Sequence, residues 1–400
     1  MQWASVVSDN ESLEVAIEEC VTQVIEELGD SRPDLAVIFV SSQHAARYQE
    51  VPNLVLSGLD VKVLFGCSAG GVIGGGKEIE HRSGFSLTAA RLPNVDLIPF
   101  HMEREDLPDA DASPTAWETA LNVAAQKEPH FLLLADPYTF PATELIAGLD
   151  YAYGHYPFGN SVKVGGLASG NVQGTGNKLF LNRSVYNSGA IGLAMCGAIM
   201  VDTVVAQGCR PIGQPMHITK SQKNLLIELD NRPTLEILRD IFLSLNERDQ
   251  DLARHSLFLG VLMDEFLDEP RQGDFLIRNL VGLDPKTGVM AIGEILHEGQ
   301  RVQFHLRDAG TSADDLRAVL SRYPERNPKG GAKGALLFSC LGRGEYLYGR
   351  PDHDTDLFRE IVGPIPLGGF FCNGEMGPVG STTYLHGYTS SFGIFHPKLS

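Results

Sequence analysis

Leu13, Ala16, Ile17, Cys20, Val21, Val24 and Leu28 recur at three- and four-residue intervals, with Glu14, Glu18, Glu19, Glu26 and Glu27 between them. That spacing predicts an amphipathic helix that opens the chain and stops at Gly29. The period then changes. Leu35–Val40 is a short apolar run rich in β-branched residues, which predicts a buried strand. Ser41–Tyr48 predicts a turn into a second helix. Val61–Phe65 predicts another strand, which runs into Gly66-Cys67-Ser68-Ala69-Gly70-Gly71.

The same succession returns twice. His130–Ala135 predicts a strand and Pro141–Tyr153 a helix, and the strand Val162–Val164 runs into a Gly-rich segment over 165–171. Ala335–Phe338 predicts a strand that ends in Ser339-Cys340-Leu341-Gly342-Arg343-Gly344. The helix Asp356–Val362 and the strand Leu367–Phe371 follow, and the strand ends in Cys372-Asn373-Gly374-Glu375-Met376-Gly377. Strand-like segments come after each unit, at Gly84–Ala90, Gly189–Val205 and Leu385–Phe395. The uncharged stretch Ser184–Val201 reads as a paired strand hairpin, because Gly, Asn and Ser interrupt it too often for a membrane span.

Strand, helix, strand and Gly turn together describe a βαβ crossover feeding a mixed sheet. In such sheets ligand crevices lie beyond the carboxyl ends of the parallel strands. The middle of the chain follows another pattern. Asn224–Leu229, His255–Met263, Phe275–Leu283, Gly288–Ile292 and Arg301–Leu306 predict strands, and Thr234–Leu245 and Ser312–Arg322 predict helices, the second capped by Ser312. Gly and Pro break the pattern near Gly208–Pro215. The expected fold is therefore α/β with α+β mixing, in two domains over residues 1–215 and 216–400, each built on mixed sheets.

Composition narrows the function. A chain of 400 residues with 43% hydrophobic and 20% charged residues is a folded protein, not a disordered one. Its net charge of −18, without a basic cluster, argues against nucleic-acid binding. The six cysteines are widely spaced, and no basic segment with an apolar core stands at the N-terminus. Free thiols and a cytoplasmic location are expected, with no membrane association. The 43 glycines cluster after apolar runs, where a chain turns sharply or approaches another group closely.

Several residue groups carry candidate chemistry. Gly71-x4-Gly76-Lys77 is close to a phosphate-binding loop, but Glu78 stands where a Ser or Thr would be needed and no helix pattern follows, so a plain glycine turn is the better reading. No haem, dinucleotide or serine-hydrolase signature is present, and no cofactor is expected. Cys67, Cys340 and Cys372 each stand where a strand meets its Gly-rich segment, with Ser68 beside the first. They suit the lining of a binding crevice; a nucleophilic thiol would further need a base such as His353 or His386. Arg343 and Glu375 lie within Gly-rich turns. With Arg278 and Asn279 they suit a ligand bearing carboxylate and amine, since Arg grips a carboxylate and Glu accepts from an ammonium, and Asn373 stands in the same expected pocket. The alternative is a buried Arg–Glu pair closing a corner of the fold. His353, between Asp352 and Asp354, is a further contact candidate.

These segments resemble the FIST proteins (F-box and intracellular signal transduction). The N-terminal resemblance rests on Leu64–Gly71, Val164-Gly165-Gly166, Ser188–Gly192 and Gly208–Gly213. The C-terminal one rests on Phe275–Asn279, Val302-Gln303-Phe304, Leu337–Gly344, Pro366–Gly380 and Leu385–Thr389. Both a FIST N-like and a FIST C-like region are present, without an F-box-like segment. The resemblance implies a sensory module for small ligands, amino acids among them, that acts with a signalling partner. A thiol- or carboxylate-dependent enzyme and a protein-interaction scaffold are the competing readings; Tyr346-Leu347-Tyr348 and Phe392–Phe395 would serve the scaffold.

Overall fold

The computed structural model describes all residues except 30–31, 155–160, 172–175, 327–330 and 399–400. The chain divides into two units: Met1–Val205 with Arg317–Leu385 and Thr389–Ser400, and Ala206–Leu316 with His386–Tyr388.

The larger unit contains three six-stranded sheets with one shared topology. In chain order each repeat supplies an edge strand, a helix, a central strand, a second helix, a strand parallel to the central one, a hairpin and a return strand. The central strands are Leu35–Ser41, His130–Ala135 and Gly334–Cys340; their parallel partners are Val63–Ala69, Lys163–Leu167 and Leu367–Cys372. The return strands Phe85–Arg91, Ala190–Gly197 and Ser390–Pro397 run antiparallel on the other side of each central strand. This is the mixed α/β architecture expected from the pattern.

The hairpins are exchanged. That of the first repeat, Gly71–Gly74 with Lys77–Glu80, pairs with the third repeat's Leu367–Cys372. That of the second, Leu179–Leu181 with Ser184–Tyr186, pairs with the first repeat's Val63–Ala69. That of the third, Glu375–Val379 with Thr382–His386, joins the second repeat's Lys163–Leu167. Each sheet is thus completed by another repeat, and the three cannot fold independently. Ser169 joins all three: its hydroxyl accepts from the Gly70 N–H at 2.9 Å and donates to the Phe371 carbonyl at 2.5 Å.

The Gly-rich segments are less turn-like than their composition suggests. Gly66, Gly165 and Gly369 lie inside strands, in register with Ile38, Leu133 and Leu337. They are equivalent positions of the three repeats. By the same register Cys67 corresponds to Gly166 and Phe370, not to Cys340 or Cys372, so the three thiols do not share one place in the repeat. Cys340 and Cys372 instead face each other across one parallel pair.

Other expectations change as well. The chain opens with the strand Gln2–Ser8, not with the helix Leu13–Leu28. The stretch Ser184–Val201 is not a self-paired hairpin: Ala190–Gly197 pairs with Val95–Met102 and His130–Ala135, while Ile199–Ala206 edges another sheet. The helix expected from Ser312 begins at Ala309, because Asp308 accepts from the Thr311 N–H at 2.8 Å and so caps it first. Gly71–Lys77 forms the exchanged hairpin, with Gly75 and Gly76 at φ of 58° and 77° in its turn.

The smaller unit is a closed antiparallel ring. Strands Cys209–Gln222, Arg301–Arg307, Leu257–Leu262, Phe275–Leu283, Met290–Ile292 and Leu225–Leu229 pair in that order, and the last pairs back with the first. A register shift between Ile212 and Met216 bends the 14-residue strand so that it serves both neighbours. Ile212, Ile218, Leu226, Leu259, Val261, Val302, Phe304 and Leu306 fill its core. Alternation then places Gln303, His305 and Arg307 on the outer face.

Candidate functional site

The strand Gly334–Cys340 ends at a tight turn that carries Arg343. The short helix Gly344–Tyr348 follows, and then the helix His353–Ile361, entered through Asp352 at φ 58°. Arg343 has no solvent-exposed side-chain surface, and its partner is Asp354. Nε donates to Oδ2 at 2.9 Å and Nη2 to Oδ1 at 3.3 Å, a two-toothed pair. Nη2 also donates to the Tyr348 hydroxyl at 2.5 Å. Ser390 Oγ donates to Asp354 Oδ2 at 2.7 Å, His353 Nδ1 lies 3.0 Å from Oδ1, and the His353 ring stacks on Tyr348 at 3.5 Å. Burial raises the Asp354 pKa, but the Arg343 charge and these hydrogen bonds outweigh it and hold the carboxyl well below the usual carboxylate range.

The exchanged hairpin of the first repeat brings two more carboxyls. Glu80 accepts from the Glu345 N–H at 2.8 Å, at the start of the short helix. Glu78 accepts from the Thr355 N–H at 2.9 Å through Oε1. Its own N–H donates to Asp352 Oδ1 at 2.6 Å. Burial first, and the Asp354 charge second, push the Glu78 pKa up to about 8. A carboxyl whose folded pKa exceeds its unfolded one stabilises below the unfolded value and loses that contribution as pH rises through the folded one. Glu78→Gln should therefore be more stable than wild type at pH 8, with the difference shrinking toward pH 5. Urea midpoints at four pH values check this; a pH-independent difference would mean that Glu78 is ionised in the fold.

Three buried polar atoms around this frame have no hydrogen-bond partner: Arg343 Nη1, Glu78 Oε2 and Ser339 Oγ. Ser339 pairs in register with Ser390, so their side chains share the sheet face that looks onto Asp354.

The other candidates are placed differently. Glu375 does not pair with Arg343: it is buried and accepts from the Thr389 N–H at 3.0 Å and from the Cys372 thiol at 3.5 Å. Asn373 donates to the Ala168 carbonyl at 3.1 Å. Cys372 also donates to the Ser339 carbonyl at 3.3 Å, and burial pushes its thiol well above the ordinary value. Cys340 is partly exposed, and its sulfur accepts from the Gly342 N–H at 3.4 Å. In the first repeat, Cys67 is a core residue whose pKa burial likewise raises, and Ser68 Oγ accepts from the Lys178 N–H at 2.9 Å. In the smaller unit, Arg278 pairs with Glu294 at 2.8 Å, Asn279 binds the Tyr388 hydroxyl, and His386 is buried.

The structure thus gathers Cys340, Arg343, His353, Cys372, Asn373 and Glu375 at the ends of the third repeat's strands. Glu78, Ser339 and Ser390 are functional candidates that sequence reasoning missed. Glu78 entered it only as the residue that spoils a phosphate loop, and its alternation in Lys77-Glu78-Ile79-Glu80 was the available sign of a buried carboxyl.

Comparison with known proteins decides the family. A model of the FIST N domain matches residues 34–232, and a model of the FIST C domain matches residues 234–378. The chain belongs to the FIST family. The uncharacterized protein MT0656 of Mycobacterium tuberculosis is 37% identical to it over 380 residues, which cover 95% of this chain and 96% of the relative. The uncharacterized protein Mb0898c of Mycobacterium bovis is 37% identical over 377 residues, 94% of each. A shorter likeness, 26% over 113 residues, joins 28% of this chain to 21% of the F-box/LRR-repeat protein At5g63520 of Arabidopsis thaliana. FIST domains are sensory and signal-transduction modules. Among the described residues of this FIST protein, no helix is long and apolar enough to cross a membrane. Nor are any three His, Cys, Asp or Glu side chains among them grouped to hold a metal ion.

Proposed function

We propose that this FIST protein is a small-ligand-binding sensory module for amino acids or similar small metabolites, read out by a signalling partner. Its binding residues are Arg343, Cys340 and His353, with Cys372, Asn373 and Glu375 framing them and Ser339 and Glu78 completing the set. One observation carries the reading. Arg343 Nη1, Glu78 Oε2 and Ser339 Oγ offer donor and acceptor capacity inside a frame whose other atoms are already bonded. Buried polar atoms in native proteins find partners, so such a trio suits a small molecule with both donors and acceptors. Thiol catalysis is the weaker reading, because burial raises the Cys372 pKa and so disfavours the thiolate. Six free cysteines fit a reducing, cytoplasmic setting.

Thermal unfolding of the full chain against amino acids, small carboxylates, amines and nucleotides tests the proposal. A ligand at one hundred times its dissociation constant adds about 2.7 kcal/mol, a rise of several degrees. Ser339→Ala should weaken that rise while keeping the unliganded midpoint within about 2 °C. A rise unchanged in this variant would place the ligand elsewhere, and a flat panel would favour the interaction-scaffold reading.

A further inference from the structure

We infer that Arg307 anchors a carboxylate-binding site on the outer face of the ring in the smaller unit, independent of the Arg343 frame. Arg307 is 6% exposed, and its Nε and Nη2 are both buried without a hydrogen-bond partner. No ion pair among the described residues includes it. Its guanidinium carbon instead sits 5.1 Å from the centre of the Tyr388 ring. That ring packs at 4.4 Å on Phe258, and its hydroxyl is bonded to Asn279.

The acids that could neutralise Arg307 are held by other groups. Asp308 accepts from Thr311 and lies 3.6 Å from Arg210. Asp249 takes Arg210 at 2.5 Å, Asp315 accepts from the Gly208 N–H, and Glu294 takes Arg278. His305 shares the face, but burial holds its pKa down to about 4, so it adds no charge at neutral pH. One positive charge is therefore buried and unmatched. A buried cation left without an anion is strongly unfavourable, and a cation–π contact offsets only part of that.

Geometry and charge select the anion. Nε and Nη2 form the planar edge of the guanidinium that takes two oxygens side by side, which is the geometry of a carboxylate. A single cation is balanced by a single negative charge; among the described residues of this unit, Arg210 and Arg278 are already paired with Asp249 and Glu294 and are not available to a phosphate dianion. The surroundings are apolar, with Phe258, Phe275 and Ile277 clustered beside Tyr388. The Nε2 of Gln207, also buried and unpartnered, lies two residues before Cys209, which is in register with Arg307. The ligand class is a small carboxylate with an apolar body.

Thermal unfolding of the full chain in sodium benzoate, sodium acetate, phosphate, sulfate and chloride at matched ionic strength tests the site. The wild-type midpoint should rise by several degrees as benzoate approaches saturation, with acetate needing higher concentration. Arg307→Met should abolish the rise while being at least as stable as wild type in chloride. Arg307→Lys, which keeps the charge but not the fork, should bind benzoate at least about tenfold more weakly. The inference fails if the wild type shows no carboxylate-specific rise, if either variant keeps the full rise, or if phosphate and sulfate act where benzoate does not. It also fails if Arg307→Met is less stable in chloride, since the guanidinium would then be a structural cation.

Discussion

Asp354→Ala should destabilise the larger unit by about 3–5 kcal/mol, the effect of leaving a fully buried charge without its partner. Arg343 would keep only the Tyr348 hydroxyl among its present acceptors, and Ser390 and His353 would lose the carboxylate they share. The pair itself adds far less than this figure, because its attraction mostly offsets the desolvation of both ions. The double variant Arg343→Met/Asp354→Leu should therefore recover most of the loss. The same linkage fixes the acid limb. Asp354 titrates below its ordinary 3.8, so its contribution is present above that value and fades as pH falls through the folded pKa. Urea unfolding followed by circular dichroism at pH 7, and in steps from pH 4 down to pH 2, reads all three effects. A single variant within about 1 kcal/mol of wild type would mean that Arg343 has a second anion.

The contrast between Asp354 and Glu78 shows how far the chain could be read before folding. Elements with a strong period were legible: the helix Leu13–Leu28, the strand Phe275–Leu283 and all three parallel strand pairs stand at the expected apolar runs, although Val63–Ala69 and Lys163–Leu167 run on through the Gly residues that read as turns. The threefold recurrence was legible too, because each crossover repeats the same apolar runs. The exchange of hairpins was not. A hairpin's pattern states which residues face a core, but not whose sheet supplies it. That exchange is what carries Glu78 to the third repeat's helices, so the site that depends on it was hidden as well. Arg343 stands out by its place in a Gly turn, but the sequence offers Glu375 as its alternative partner, because nothing in the pattern says that the helix His353–Ile361 folds Asp354 back onto it. Arg307 gave no sign, because an Arg in a strand is ordinary until burial removes its solvent.

Gly369→Ala should prevent the larger unit from folding, a loss upwards of about 4 kcal/mol. A Cβ there would stand 1.9 Å from the Leu337 carbonyl oxygen, and φ of 147° is itself unfavourable for alanine. The obstacle is backbone held in a ladder, which cannot move without breaking the parallel pair. Gly66→Ala and Gly165→Ala should fail alike, because their Cβ atoms would stand 2.0 Å and 1.8 Å from the Ile38 and Leu133 oxygens. Recurrence of one clash in three sheets marks a requirement of the repeat, not of one turn. The next position answers to packing instead. Gly166 would meet only side chains, Phe370 and Cys372, at 3.1–3.2 Å, so Gly166→Ala should cost no more than about 1–3 kcal/mol. There the repeats compensate one another: the Phe370 ring occupies room that Gly166 leaves. Gly282→Ala, with nothing within 4 Å of its Cβ, should change stability by less than about 0.5 kcal/mol. Soluble yield, circular dichroism and urea midpoints of the five variants decide the matter. A Gly369→Ala protein with a wild-type midpoint would mean that the third parallel pair has room for a Cβ, and the equivalence of the three repeats would fall with it.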